Sequence, residues 1–176
     1  AGRNLITNED QLIKVFQNPE RSMTVELMND ISLTKPWVPR DIENVIFEGN
    51  NHLISNQKAP LFAGIKGNTW IKDLSLSGDI NLGASSGGFL AREVISGDFH
   101  ISNLSVTGSV ISTSDNGTGG LLGLTGASSL LYLDKINTNQ TVKGGAYSGG
   151  LVGRINGSVE ATKLIVDSRV EGESVT

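Results

Sequence analysis

The 176 residues carry 18 acids against 14 bases, a net charge of −4 spread along the chain, and no cysteine. That balance excludes a disulfide scaffold and any thiolate metal site, and gives no support to a nucleic-acid or anionic-membrane partner. No apolar run approaches the roughly 20 residues that a membrane-crossing helix needs; the 22 Gly, 4 Pro, two Trp, two Tyr and five Phe imply one domain with many tight turns and a core of Leu, Ile and Val, which favours β structure.

Taken in chain order, residues 7–17 predict a short amphipathic helix. Thr7 or Asn8 serves as N-cap, acids occupy the first turn, and Leu12, Ile13 and Phe16 share a face. The helix ends near Asn18-Pro19. Thr24-Val25-Glu26-Leu27 and Ile31-Ser32-Leu33 then alternate like strands around the turn residues Asn29-Asp30. Residues 1–36 thus read as a capping helix with entry strands, and residues 37–176 as the repeated body. Within that body, residues 45–54 form a first, irregular coil of strand, Gly-Asn turn and strand.

Four small-residue clusters follow: Pro60-Leu61-Phe62-Ala63-Gly64, Gly87-Gly88-Phe89-Leu90-Ala91, Gly119-Gly120-Leu121-Leu122-Gly123 and Gly149-Gly150-Leu151-Val152-Gly153. From Leu61 to Phe89, Leu121 and Leu151 the steps are 28, 32 and 30 residues. A period-2 strand follows each cluster, beginning at Ile71, Ile101, Leu133 and Ala161, and aligns Leu74, Leu104, Ile136 and Leu164. A third short strand is marked by Ile80, Val110, Val142 and Val170, each six residues further on.

A unit of about 30 residues with three short strands cannot bury its apolar face alone and must stack on its neighbours. Parallel stacking sets equivalent residues about 4.8 Å apart, so Leu74, Leu104, Ile136 and Leu164 become one internal ladder. The fold class expected is all-β, a right-handed parallel β-helix (solenoid) with a short N-terminal capping helix. A leucine-rich repeat fits Ile71-x-x-Leu74-x-Leu76 equally well, but it requires a helical convex side where this chain has β-branched segments broken by Gly. A β-sandwich does not require so constant a step. Gly64, Gly88, Gly120, Gly123, Gly150 and Gly153 are the structural repeat positions, read as corner glycines with positive φ.

The four clusters, above all Gly149-Gly150-Leu151-Val152-Gly153, resemble the GLUG motif. The similarity extends to Val25–Leu33, to Trp37-Val38-Pro39 and to Phe47-Glu48-Gly49-Asn50-Asn51-His52, and so covers residues 5–172. The sequence departs from the motif at Ala63 and Ala91, where Gly is replaced, and at Asn51. The resemblance implies a β-helical region of a bacterial secreted or cell-surface protein. Such regions belong to adhesin-like proteins and to the N-terminal part of immunoglobulin A1-cleaving metallopeptidases, whose zinc site lies in a separate domain. With both ends stopping in polar sequence, the chain reads as excised from a longer one, and further coils of that parent are an expected partner at the C-terminal end.

The residues argue against catalysis. The pair of histidines four apart that a zinc peptidase places on a helix is absent, and His52 and His100 read as structural. Polysaccharide lyases and hydrolases cluster carboxylates on adjacent coils. Here the column of Asp73 holds Asn103, Lys135 and Lys163, and that of Asp134 holds Lys72, Ser102 and Thr162. No Gly-rich cluster has the ending of a phosphate-binding loop. No cofactor or metal is implied. Trp70 and Tyr132 read first as packing over a coil end or turn, with a sugar platform as the alternative; they and Asn116 and Tyr147, in the corner loops Ser112–Gly119 and Lys143–Ser148, are the candidate ligand contacts. The expected function is a non-catalytic stalk or binding module that meets a host or matrix protein or a glycan outside the cell. The alternatives are an accessory domain of a zinc metallopeptidase and, less favoured, a carbohydrate-active β-helix enzyme.

Overall fold

Alternating apolar residues can be hidden only if every strand turns the same side inward, and the chain achieves this by coiling. The computed structural model describes residues 2–172. Its elements are β1 (Gly2–Ile6), α1 (Glu9–Gln17), β2 (Met23–Leu27), β3 (Ile31–Ser32), β4 (Arg40–Glu43), β5 (Val45–Gln57), β6 (Phe62–Lys66), β7 (Asn68–Asn81), β8 (Ala91–Val94), β9 (Gly97–Ile111), β10 (Thr118–Gly119), β11 (Leu122–Thr125), β12 (Ser129–Lys143), β13 (Ser148–Gly149), β14 (Val152–Ile155) and β15 (Ser158–Glu171).

All pairings are parallel. A long sheet runs β1-β2-β5-β7-β9-β12-β15, with β3 also on β5, and a second sheet runs β14-β11-β8-β6-β4. A short pair, β10 with β13, lies apart from both. The result is a β-solenoid of about four turns with coils of about 29 residues.

The two strands expected after each cluster are one long bent strand. The bend falls on Asp73, Asn103, Lys135 and Lys163, in line with Asn51, and all five hold left-handed φ between 52° and 61°. A single left-handed residue breaks the alternation. Ile71 and Leu74 therefore both point inward across Lys72 and Asp73, as do Ile101 and Leu104 across Ser102 and Asn103. This corner, not a leucine-rich repeat, produces the Ile-x-x-Leu-x-Leu pattern.

Leu74, Leu104 and Ile136 form the internal ladder and are almost wholly buried. Leu164 stands in the same register but is 40% exposed, because no described strand stacks on the outer side of β15.

The register of the short sheet differs from the spacing read in the sequence by one residue at the second cluster. Phe62 pairs with Ala91, Ala91 with Leu122 and Leu122 with Val152, so Leu90, not Phe89, stands in line with Leu61, Leu121 and Leu151. Gly88 accordingly stacks with Gly119 and Gly149. The column of Gly123 and Gly153 contains Arg92 and Ala63, leaving Gly64 opposite Glu93.

None of the six repeat glycines has positive φ; among the described glycines, that conformation falls on Gly67, Gly78, Gly83, Gly87, Gly97, Gly108 and Gly117. Close approach is the constraint instead. A Cβ on Gly120 would lie 2.2 Å from Gln140 Oε1, and one on Gly123 2.4 Å from the carbonyl oxygen of Arg92.

One end of the solenoid is closed by α1. Asn8 caps the helix by accepting a hydrogen bond from the Gln11 amide at 2.9 Å. Leu12 and Phe16 are buried, and the Phe16 ring meets Phe47 and Phe62 at 5.5 and 4.9 Å between centroids. Glu9 ties the helix start to the chain beyond β3, accepting from the Thr34 amide and hydroxyl at 2.5 and 2.6 Å.

Candidate ligand-binding face

Residues four positions before the ladder residues Leu74, Leu104 and Ile136 are Trp70, His100 and Tyr132, and parallel register stacks them on the outside of the long sheet. Trp70 and His100 lie 3.8 Å apart between centroids at 2° between planes, and His100 and Tyr132 lie 4.4 Å apart at 8°. The three rings form a continuous face-to-face column across three coils. Trp70 remains 38% exposed. Ile46 precedes the column and Glu160 follows it in register.

The next outward column on the same face is Glu48, Lys72, Ser102, Asp134 and Thr162. A shallow groove lies between the two columns, with Trp70, His100 and Tyr132 on one side and Ser102, Asp134 and Thr162 on the other; Glu160 stands at one end. Charges in the second column are paired. Lys72 Nζ is 3.3 Å from Glu48, and Asp134 Oδ1 accepts the Thr162 hydroxyl at 2.8 Å with Lys163 Nζ at 4.0 Å. Burial between the two rings pushes the His100 imidazole below its ordinary pKa, against a smaller opposing pull from Asp98.

Trp70 and Tyr132 are thus joined, through a histidine that sequence reasoning treats as structural. The signal was available: all three residues precede a ladder position by the same four residues.

Asn116 and Tyr147 lie elsewhere, on adjacent corner loops joined by the bond from the Ala146 amide to Asp115. Tyr147 is exposed, with the Arg154 guanidinium 4.5 Å above its ring. The 112–119 loop is stapled to the coil before it. Ser112 Oγ donates to the Ser85 carbonyl at 2.7 Å, and Ser114 Oγ accepts from the Asn116 amide at 3.0 Å. His52 is held at 2.9 Å from Asp30, which also accepts the Leu53 amide.

Among the described residues no group of three or more His, Asp or Glu side chains is placed to hold a metal ion. No described helix is long and apolar enough to cross a membrane.

No protein-family model and no curated protein matches this chain. Among solved structures, the chain is similar to the Bacteroides ovatus protein named "putative immunoglobulin A1 protease". The TM-score is 0.67 at 15% identity, over 96% of this chain and 67% of that one. A likeness at that identity is one of fold.

Proposed function

We propose that this chain is a non-catalytic β-solenoid module of a bacterial secreted or cell-surface protein, built of GLUG-like repeats, that presents a lateral recognition face to a ligand outside the cell. The observation that carries this reading is the column Trp70–His100–Tyr132. Large rings are held in a fixed outward array by the coil register, so their conformational entropy is spent in folding and not on binding. Among the described residues Ser102, which shares the groove with His100, makes no hydrogen bond to it, and Asp134 stacks between Ser102 and Thr162 and not on another carboxylate. In this reading residues 1–36 cap the solenoid and residues 37–176 form it, residue 1 and residues 173–176 lying outside the described residues, and further coils of a parent chain are the natural neighbour of the last described rung. Panels of host glycans, matrix proteins and immunoglobulins test it: specific binding without turnover is the expected result, and hydrolysis or cleavage of any bound polysaccharide would refute the non-catalytic assignment. Replacing residues 112–119 by a short Gly-Ser turn asks separately whether the corner loops take part.

A second reading is favoured by the name of the Bacteroides ovatus structure: the module serves as an accessory, substrate-positioning domain of a peptidase. Deleting the module from its parent then lowers cleavage of the whole protein substrate and leaves cleavage of a short peptide unchanged. Equal loss on both substrates would sink that reading.

A further inference from the structure

The rings of the column lie face to face along the solenoid axis, so sideways they offer only their edges. Each inner ring face is already covered by its neighbour. Open faces occur only at the two ends of the stack, and the ends differ. Beyond Trp70 the next register position is Ile46, an apolar residue; beyond Tyr132 it is Glu160, with Asp134 and Thr162 in the adjoining column. At the Trp70 end the adjoining groups, Glu48 and Lys72, are paired with each other at 3.3 Å and the next rung is apolar, whereas at the Tyr132 end the next rung itself is an exposed carboxylate.

Resting on the recognition reading above, we propose that the outer face of Tyr132 is a subsite for one sugar ring of a neutral hexopyranose chain, oriented by Glu160 and Asp134. Stacked centroids in the column are 3.8 and 4.4 Å apart, so a pyranose over Tyr132 prolongs the ladder by one more flat ring. The weakly positive C–H face of a pyranose matches the negative face of the phenol. Its equatorial hydroxyls radiate in the ring plane, where the carboxylates of Glu160 and Asp134 accept them, and charge-assisted bonds of this kind are the stronger ones. Glu160 is exposed and has no ion-pair or hydrogen-bond partner among the described residues, so its side chain is free to swing to the edge of the guest.

The same carboxylates set the charge of the ligand. Lys72 and Lys163 lie beside Glu48 and Asp134, Lys135 stands at the corner outside the groove lining, and the charged groups that line the groove beside Tyr132 are the carboxylates of Asp134 and Glu160, with no lysine or arginine among them to receive a uronate or a sialic acid. Acidic sugars are thus disfavoured. The groove continues from this end past His100 to Trp70, so a second sugar of the chain lies along ring edges and the Ser102 hydroxyl. A planar guanidinium from a protein partner is the rival occupant, since it also stacks on a phenol and pairs with carboxylates. It is disfavoured by a wall of hydroxyls, Ser102 and Thr162, which suits an uncharged polyol better than an ion.

The test uses the whole chain, titrated with neutral oligosaccharides of glucose, galactose, mannose and N-acetylglucosamine, with oligogalacturonate and with an arginine-rich peptide. Tyr and Glu resonances are followed by NMR. The expected result is saturable binding of a neutral oligosaccharide that shifts the Tyr132 ring and Glu160 signals, with little dependence on salt. Y132A weakens it by about tenfold or more, Y132F retains it, E160Q weakens it less, and S105A, outside the groove, leaves it unchanged. Should Y132A fail to fold, the E160Q titration and the resonance shifts decide the matter. Sugar binding indifferent to both Tyr132 and Glu160 overturns the subsite. Binding of the arginine-rich peptide at Tyr132, with every neutral sugar silent, overturns the ligand class and leaves the recognition module standing. Loss of that broader reading looks different: no saccharide, peptide or host protein binds at any position.

Discussion

Lys135 and Lys163 hold the same left-handed corner that Asn51, Asp73 and Asn103 hold on earlier coils. Asn and Asp tolerate that conformation because a short polar side chain can bond locally, and here Asn103 also donates across to Asp73 of the coil before it at 2.8 Å; a lysine stem cannot make the local bond. Replacing Lys135 by Asn is expected to raise stability by about 1 kcal/mol, read as a higher midpoint in urea; a lower midpoint would mean that the lysine stem contributes packing that outweighs the strain. Inside the corner the sign is opposite. Leu104 lies between Leu74 and Ile136 in the ladder, and neighbours above and below cannot close the void left by truncation. Leu104→Ala is therefore expected to cost about 2–5 kcal/mol, whereas Ser105→Ala, on the outward side, changes stability by a few tenths. Equal effects at the two positions would show the facing to be reversed. Glycine is required nearby for a different reason: Gly108 holds φ +140°, and a Cβ there would fall 1.7 Å from the Gly78 carbonyl oxygen.

At the scale of the element, the ring column couples a titratable group to the long sheet. His100 has its pKa lowered mainly by desolvation, so the unfolded chain binds the proton more readily than the folded one. Stability attached to this group is present above the ordinary histidine value and diminishes as pH falls through that value toward the lowered one. His100→Phe keeps a ring in the column and removes the titration. The variant's unfolding midpoint is expected to fall less than the parent's between pH 7 and pH 5, a comparison thermal melts make directly. Parallel curves would show that the imidazole accepts its proton in the stack without penalty, the two flanking π faces offsetting desolvation. Helix α1 illustrates the complementary case, in which two adjacent residues secure the start of an element. Asn8 caps it, and Glu9 reaches across to Thr34, fixing Phe16 against Phe47 and Phe62.

The two ends of the whole molecule are unlike. The N-terminal end is sealed by α1 and its aromatic cluster, while among the described residues β15 is paired on one side only, with Leu164, Ile165, Val166 and Val170 exposed; Ile165 is 64% so. An uncovered strand edge beside apolar side chains is a template for another strand. Adding one further polar-faced coil or a capping helix after residue 172 is expected to raise the melting temperature and suppress concentration-dependent association, measured by sedimentation velocity. Replacing Ile165 and Val170 by Lys is expected to suppress the association alone. If neither change alters the sedimentation profile, the last rung is already protected.

Sequence alone determined the repeat, the parallel coiling, the inward ladder through Leu74, Leu104 and Ile136, and the helix ahead of the coils. Each of these follows from local periodicity, and stacking makes every local period recur at the next rung. The outward column was equally periodic, yet Trp70, His100 and Tyr132 differ in residue type, and chemical type hid a positional identity that only the 3.8 and 4.4 Å ring separations display. Three matters lay beyond the sequence because they depend on what stands across the coil or above it. The one-residue displacement of Leu90 and Gly88 is set by backbone hydrogen bonds between coils, and similarity of the clusters misplaces it. The repeat glycines are needed where Gln140 or a neighbouring carbonyl approaches, a constraint imposed by tertiary contact and not by φ. Leu164 repeats the pattern of Leu104 residue for residue but is left partly in solvent, because burial in a solenoid is conferred by the next coil and not by the residue itself.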